Sequence, residues 1–250
     1  MKIAMVSDVH IRQNLDEADK LLTCFFAHPL VQSSDEIYLL GDIFDLLVGK
    51  HREYFQKFPN FFDNLKQLVQ KGKKIIFFEG NHDLHVKELF ETFCADNGLD
   101  SERIKTCRNY HVLRIDNKSY YFSHGDEHDL EDKKYQLYKK TIHSAFVKQL
   151  AHKVISFGFL EFIGNKASKA SRKVGSTYFN EAKVRAKFRA GAMEKAKNGY
   201  QYIIGGHSHV KDFYEHNGHC YVNNGYFGKE KSFIYLDTEK TEKILDFIKL

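Results

Sequence analysis

Five short blocks of oxygen and nitrogen donors run in order along the chain: Asp8-Val9-His10, Gly41-Asp42-Ile43-Phe44-Asp45, Gly80-Asn81-His82-Asp83, His124-Gly125-Asp126 and Gly206-His207-Ser208-His209. Asp, Asn and His are the donors that divalent cations take in mixed nitrogen and oxygen sites. A carboxylate such as Asp42 can bridge two cations with its two oxygens. Cations about 3.5–4 Å apart can activate a water and hold a phosphoryl oxygen. The chemistry indicated is metal-assisted cleavage of a phosphoester. One block alone says little; the ordered set of five is the specific signal.

Each block follows an apolar run that reads as a buried strand. Lys2–Ser7 precedes the first block, Glu36–Leu40 the second and Lys73–Glu79 the third. Between them, Leu15, Ala18, Leu22, Phe25 and Phe26 have helical spacing, predicting a helix over Leu15–His28 that Pro29 ends. A second helical stretch breaks near Pro59 and stops at Gly72. Strands apolar on both faces and joined by helices imply a parallel core.

Further on, His111–Ile115 and Ser119–Ser123 flank Asp116-Asn117-Lys118 as an antiparallel hairpin. Tyr200–Ile204 is a strand, and Phe213–His216 pairs with His219–Asn223 across Asn217-Gly218, a type I′ turn signal. Ser232–Leu236 and Lys243–Ile248 close the chain, while Asp132–Asn198 is mostly helical. The expectation is an α/β fold, a four-layer α-β-β-α sandwich of two mixed sheets. It forms one domain over residues 1–250 with a helical insertion or lid at about 130–197. Ligands collect at the carboxyl ends of strands in such sheets, so all five blocks are predicted at one edge. Extended backbone in Asp8-x-His10 and His207-x-His209 would put both side chains of each pair on one side.

The chain has 250 residues, enough for one well-buried domain. Its four cysteines are scattered with no C-x-x-C pair, and read as reduced thiols in a cytosolic protein. Lys2–Ser7 as a core strand leaves no room for a cleavable signal, and no apolar run approaches the roughly 20 residues that span a bilayer. A cytoplasmic location is expected, with the inner face of a membrane open as a peripheral site.

The net charge is +5, but Lys166–Lys197 holds ten Lys or Arg against two Glu, so the rest of the chain sums to about −3. The basic stretch suits a phosphate-bearing ligand or an anionic lipid surface, and equally a solvated helix face. Beside it lies an apolar stripe of Phe146-Val147, Leu150, Val154-Ile155, Phe157, Phe159-Leu160 and Phe162-Ile163. It suits acyl chains, or packing against the core.

The order D-x-H, G-D-x-x-D, G-N-H-D, H-G-D, G-H-x-H resembles the calcineurin-like metallophosphoesterase superfamily from Asp8 to His209. The resemblance implies that Asp8, His10, Asp42 and His209 hold one metal. Asp42 would bridge to a second, held with Asn81, His124 and His207. The ions would be manganese, with iron or zinc compatible. His82 would face the scissile phosphate as electrophilic stabiliser or general acid, and Asp45 would hydrogen-bond His82 and keep it protonated. Asp83 and Asp126 would support ligands or backbone.

Within the superfamily the chain is similar to the UDP-2,3-diacylglucosamine hydrolases of lipid A synthesis. The short chain, the Gly41-Asp42-Ile43-Phe44-Asp45 block, the helical insertion, and Asp132 with Tyr135-Gln136 at the lid entrance carry that likeness. Such enzymes cleave the pyrophosphate of a UDP-linked diacyl sugar and release UMP. The likeness implies substrate contacts from Asn81, His82 and Asp132. The chain departs at His82, where those enzymes have a substrate-binding Arg. The alternatives are a related enzyme acting on another phosphodiester, a phosphomonoester or a nucleotide, and a non-catalytic scaffold on the same fold. No separate DNA-binding domain is visible, so nucleic acid is not expected as partner. His28, His51, His85, His111, His128, His143, His152, His216 and His219 are expected as surface or packing residues, and Cys220 as core filler.

Overall fold

Strand β1 (Lys2–Val6) shows how this sequence builds its core: the residues are apolar on both faces, and each face meets a different layer. In the computed structural model, which describes residues 1–142, 144, 147, 149, 156–160, 162, 180–240 and 243–250, β1 sits inside a six-stranded sheet. Its neighbours on one side are β2 (Glu36–Leu39), β4 (Lys74–Phe78) and β6 (Ile104–Cys107), all parallel. On the other side, β12 (Ser232–Asp237) and β13 (Leu245–Lys249) add antiparallel. A second, five-stranded sheet runs β10 (Asp212–His216), β11 (His219–Asn223), β9 (Tyr202–Gly205), β8 (Lys118–Ser123) and β7 (Tyr110–Ile115). A two-stranded pair, β3 (Leu47–Val48) and β5 (Asp83–Leu84), lies beside them.

Period-two alternation sorts the side chains into layers. Ala4, Val6, Ile37, Leu39, Ile75 and Phe77 face the helices α1 (Glu17–Ala27), α2 (Pro29–Ser33), α3 (Glu53–Lys57), α4 (Pro59–Gln70) and α5 (Lys87–Asp96). Ile3, Met5, Tyr38, Leu40, Ile76 and Phe78 face the other way, onto Tyr120, Phe122, Ile204 and Val222 of the second sheet. Tyr121, Ile203 and Tyr221 then cover a further helix with Phe188, Ala192 and Ala196. The result is the α-β-β-α sandwich. Each fully buried Leu, Ile or Phe in these layers contributes on the order of 1.5–3 kcal/mol. Cys220 belongs to the layer between the sheets, as core filler.

The predicted strands agree with the structure to within about two residues at their ends, and both hairpins form. Asp116, Asn117, Asn217 and Gly218 all adopt the positive φ that their tight turns require. Several elements were not anticipated, including the β3–β5 pair, β6 and α5. β6 is a short edge strand with one buried residue, too polar to stand out. α5 carries Leu89, Phe90, Phe93 and Cys94 at helical spacing, a signal that was present in the sequence.

The 130–197 region has two described helices, α6 (Lys133–Ile142) and α7 (Glu181–Ala196). α7 is the outer layer of the second sheet. Three of its cations are already paired within the protein: Arg185 and Arg189 with Asp212, and Lys187 with Asp129. Of the apolar stripe, Phe157 packs against the core cluster and Leu160 is buried, while Phe159 and Phe162 are exposed. Phe146, Leu150, Val154, Ile155 and Ile163, and the cations Lys166, Lys169, Arg172 and Lys173, lie outside the described residues. Among the described residues no helix is long and apolar enough to cross a membrane.

Candidate metal centre

The five blocks converge on the seam between the two sheets. Beyond β1 and β2 the chains stay paired: the amides of Asp8, Val9 and Ile11 donate to the carbonyls of Gly41, Asp42 and Ile43. These bonds carry Asp8, His10 and Asp42 past the strand ends together. Asn81 and His82 arrive after β4, and the His82 amide donates to Asp42 Oδ1 at 3.0 Å. The other sheet delivers His124 after β8, and His207 and His209 after β9. The His207 amide reaches both oxygens of Asp8 at 3.0 Å, bonding one sheet's block to the other's.

The local backbone differs from the extended form expected. Asp8, His10, Asp42, His207 and His209 all have φ between +53° and +65°, in the left-handed region. Asp and His tolerate that region better than most residues, at about 1 kcal/mol or more each. The reason is geometric: a strand presents side chains perpendicular to its sheet, whereas these donors must turn toward the seam. Val9, between two such kinks, is fully buried in the core. Gly80 is needed as glycine, because a Cβ there would strike the carboxylate of Asp42 and lie 2.6 Å from its amide nitrogen.

The donors fall into three groups, each with its ligand atoms within 4.8 Å of one another: Asp8, His10 and His209; His10, Asp45 and His82, which shares His10 with the first; and Asp42, His124 and His207. His10 Nε2 lies 3.2 Å from His209 Nε2, and His124 Nε2 lies 3.1 Å from His207 Nδ1. Bonds of 2.0–2.1 Å to a shared cation at tetrahedral to octahedral angles separate donors by about 2.9–3.4 Å, so both pairs have a fitting spacing. Asn81 Oδ1 sits 3.3 Å from His124 Nε2, and Asp42 Oδ2 sits 3.5 Å from the same atom. The His124 Nδ1–H donates to the Leu40 carbonyl at 2.9 Å, which fixes the tautomer and leaves Nε2 toward the cluster.

The electrostatics also suit cations. Burial opposes ionisation of Asp42, but the charge and hydrogen bond of His124 overcome it, and Asp42 is held well below the usual carboxylate range. Asp8 is likewise lowered: burial works against it, and the His209 hydrogen bond prevails. His124 is buried, which disfavours its charge, yet Asp42 beside it pushes it up to about 10. His207 falls to about 4, through burial and then the charge of His124. Two ionised carboxylates, Asp8 fully buried and Asp42 2 % exposed, thus have imidazoles as their ion-pair partners among the described residues. This is a pocket built around positive charge.

Not every expectation on side-chain contacts holds. The His82 Nδ1–H donates at 2.7 Å to the main-chain carbonyl of Asp45, not to its carboxylate. That carboxylate instead lies 3.4 Å from Arg12 Nε and 3.9 Å from His10 Nδ1. The Asp132 carboxylate accepts the Tyr135 amide and caps α6. Tyr135 itself comes closer, with its ring 5.5 Å from that of His207 and its hydroxyl donating to Asp126. Asp83 accepts the amides of Ile43 and Phe44 and so holds the second block in place. Burial and the nearby charge of Asp42 raise it well above the normal range. Asp126 takes Lys139 Nζ at 2.6 Å, fastening α6 to the fourth block.

Sequence reasoning missed Ser7, which donates to Asp8 Oδ2 at 2.6 Å, and Asn223, which holds the Gly206 carbonyl and the Gly225 amide. Asn223 carried the signal of the other blocks: a polar residue at the end of an apolar strand, on the same edge. Of the remaining histidines, His85 and His128 are buried, His28 caps α2, and His143 and His152 lie outside the described residues.

A calcineurin-like phosphoesterase profile matches residues 1–211. A UDP-2,3-diacylglucosamine hydrolase of Actinobacillus succinogenes is 24% identical over 214 residues, covering 86% of both chains. The protein of that name from Aliivibrio fischeri is 23% identical over 225 residues, or 90% of this chain and 86% of its own. An archaeal phosphodiesterase superposes over both full lengths at 17% identity and a TM-score of 0.47, too distant to carry an argument. With the profile spanning all five donor blocks, the chain belongs to the calcineurin-like phosphoesterase family and is a metal-dependent phosphoester hydrolase.

Proposed function

We propose that this chain hydrolyses the diphosphate of a UDP-linked diacyl sugar, UDP-2,3-diacylglucosamine, releasing UMP. It does so with two divalent ions, manganese by preference, as a single domain whose lid occupies part of 130–197. The observation that carries the reading is the position of Asp42, whose carboxylate lies against His124 while His10 contributes to its field from the other donor group. Asp8, His10, Asp42 and His209 form one ligand set, and Asp42, Asn81, His124 and His207 the other. When bound, such ions supply an activated water and neutralise phosphoryl oxygen charge.

The protein's own groups do the rest. Because a carbonyl only accepts, the Asp45 oxygen keeps hydrogen on His82 Nδ1 and leaves Nε2 as the atom for the substrate. A protonated His82 donates from Nε2 to the departing oxygen. Exposed Phe159 and Phe162 offer apolar surface for acyl chains at the inner face of a membrane.

The deciding assay compares manganese-dependent turnover of UDP-2,3-diacylglucosamine with bis-p-nitrophenyl phosphate, nucleotides and single-stranded DNA. The lipid-linked substrate is expected to have the highest kcat/KM by at least about tenfold. Turnover of the simple diester alone would favour the second reading, a phosphodiesterase of different substrate, which His82 in place of Arg supports.

Metal uptake should also move protons. Without metal, His124 at about 10 is protonated at pH 7, whereas His207 at about 4 is already neutral. Only a neutral imidazole binds a cation, so loading at pH 7 releases at least about one proton, from His124 and in part from the raised His209. The sign follows: affinity rises about tenfold per pH unit between pH 6 and 8. Calorimetry in buffers of different ionisation enthalpy reads the proton count, and a count of zero would remove His124 from the ligand set.

A further inference from the structure

A pocket of about 390 Å³ opens beside the donor cluster, lined by His10, Arg12, Gln13, Asp16, Glu17, Ala18 and Tyr226. It abuts the half of the cluster formed by Asp8, His10 and His209. Tyr226 forms the shared wall, with its ring 27° from parallel to His209 at 5.6 Å and its amide bonded to the His209 carbonyl.

The acidic residues in the lining keep their charge but have partners of their own. Asp16 is consumed locally: its Oδ2 accepts the amides of Arg12 and Gln13, and its Oδ1 the amide of Asp19. Glu17 extends into solvent, 3.9 Å from Lys231. Arg12 is therefore the cation that faces this space. Its Nε is anchored 3.4 Å from Asp45 Oδ2, and its two terminal amino groups make no protein hydrogen bond among the described residues. The anchor is available because His82 uses the Asp45 main-chain carbonyl and leaves the carboxylate to Arg12.

A guanidinium that lines this cavity and has Asp45 beside its Nε carries a fork of donors that suits two phosphoryl oxygens. We infer that Arg12, positioned by Asp45, binds the second phosphoryl group of a diphosphate diester while the first is at the metal centre. The inference rests on the reading of that centre as hydrolytic and adds a selectivity to it: diphosphate diesters are preferred over monophosphates.

The test measures UMP and UDP-glucose as competitors of bis-p-nitrophenyl phosphate hydrolysis by the manganese-loaded full chain. UDP-glucose reports its affinity as a competitor whether it is cleaved or only bound. Wild type should favour UDP-glucose over UMP. Arg12→Ala should reduce that ratio about tenfold or more, and Arg12→Lys, which keeps the charge but not the fork, should recover only part of it. Affinity for UMP in the same preparation reports whether the centre and the fold are intact. An unchanged ratio in Arg12→Ala, or no preference in wild type, overturns the inference. If neither bis-p-nitrophenyl phosphate nor UDP-2,3-diacylglucosamine is hydrolysed, the hydrolytic reading fails on its own. The same ratio is then read by calorimetric binding to the loaded protein.

Discussion

Asp42→Asn is expected to lower kcat/KM for a phosphodiester by about three orders of magnitude while leaving the metal-free fold intact. Asn has nearly the volume of Asp and can still accept the His82 amide at the position of Oδ1. It cannot offer a charged oxygen on each side, so both proposed ligand sets lose their common member. Removing one electrostatic contributor from a preorganised site typically costs 10²–10³ in rate, and a shared metal ligand stands at or above that range.

The same variant separates the centre from the fold. At 100 times the dissociation constant, a cation stabilises wild type by about 2.7 kcal/mol per site. For a chain of this size that raises Tm by roughly 5–10 °C. Asp42→Asn should show little of this shift. In chelator it should melt somewhat below wild type, because the ionised Asp42 is held by His124 and its loss leaves that buried imidazolium without its partner. Full activity, or an undiminished manganese shift in Tm, would remove Asp42 from the centre.

Gly191→Ala is expected to destabilise the protein by about 3 kcal/mol, a fall in Tm of roughly 6–12 °C. The direction is what makes this informative. In an exposed helix interior, Gly to Ala stabilises by about 1 kcal/mol. Gly191 lies inside α7, but a Cβ there would strike the His128 carbonyl oxygen and come within 2.6 Å and 2.7 Å of the His128 carbonyl carbon and Cα. These are backbone atoms, so no side chain can swing aside; the helix must move off the 126–128 turn. That turn continues directly from His124, and hydrolytic activity should fall together with stability. Thermal melts of the two proteins decide it: an equal or higher Tm in Gly191→Ala would mean that α7 is not seated on this turn.

Much of the layering was legible in the sequence because alternation along a strand is a local property. Ile3 and Met5 against Ala4 and Val6 already assign one side to each layer. The donor blocks were legible for a similar reason, as polar residues interrupting apolar runs at strand ends. What failed was non-local or below the level of residue type. Nothing in Asp-x-His distinguishes extended from left-handed backbone, since both place residues i and i+2 near each other. The partner of His82 could not be read, because Asp45 offers a carbonyl and a carboxylate and only the fold selects between them. Lys187 and Arg189 of α7 looked free because Asp129 and Asp212, which take them, lie 58 and 23 residues away. Arg12 was passed over because it is two residues beyond its block and its partner belongs to another.

The left-handed φ at Asp8, His10, Asp42, His207 and His209 limits how the proposed metal centre can be re-engineered. Metal preference is usually retuned by exchanging donors, such as His for Cys or Asp for Glu. Here each exchange must first pass a conformational filter. Asn, Asp, His and Gly enter this region with least difficulty, whereas bulkier or β-branched residues resist it. A donor that is ideal for a new ion can fail because its own main chain turns it away from the seam. The accessible repertoire at these five positions is therefore little wider than the one already present. A change of metal is more readily sought at Asn81 and His124, where φ carries no such restriction.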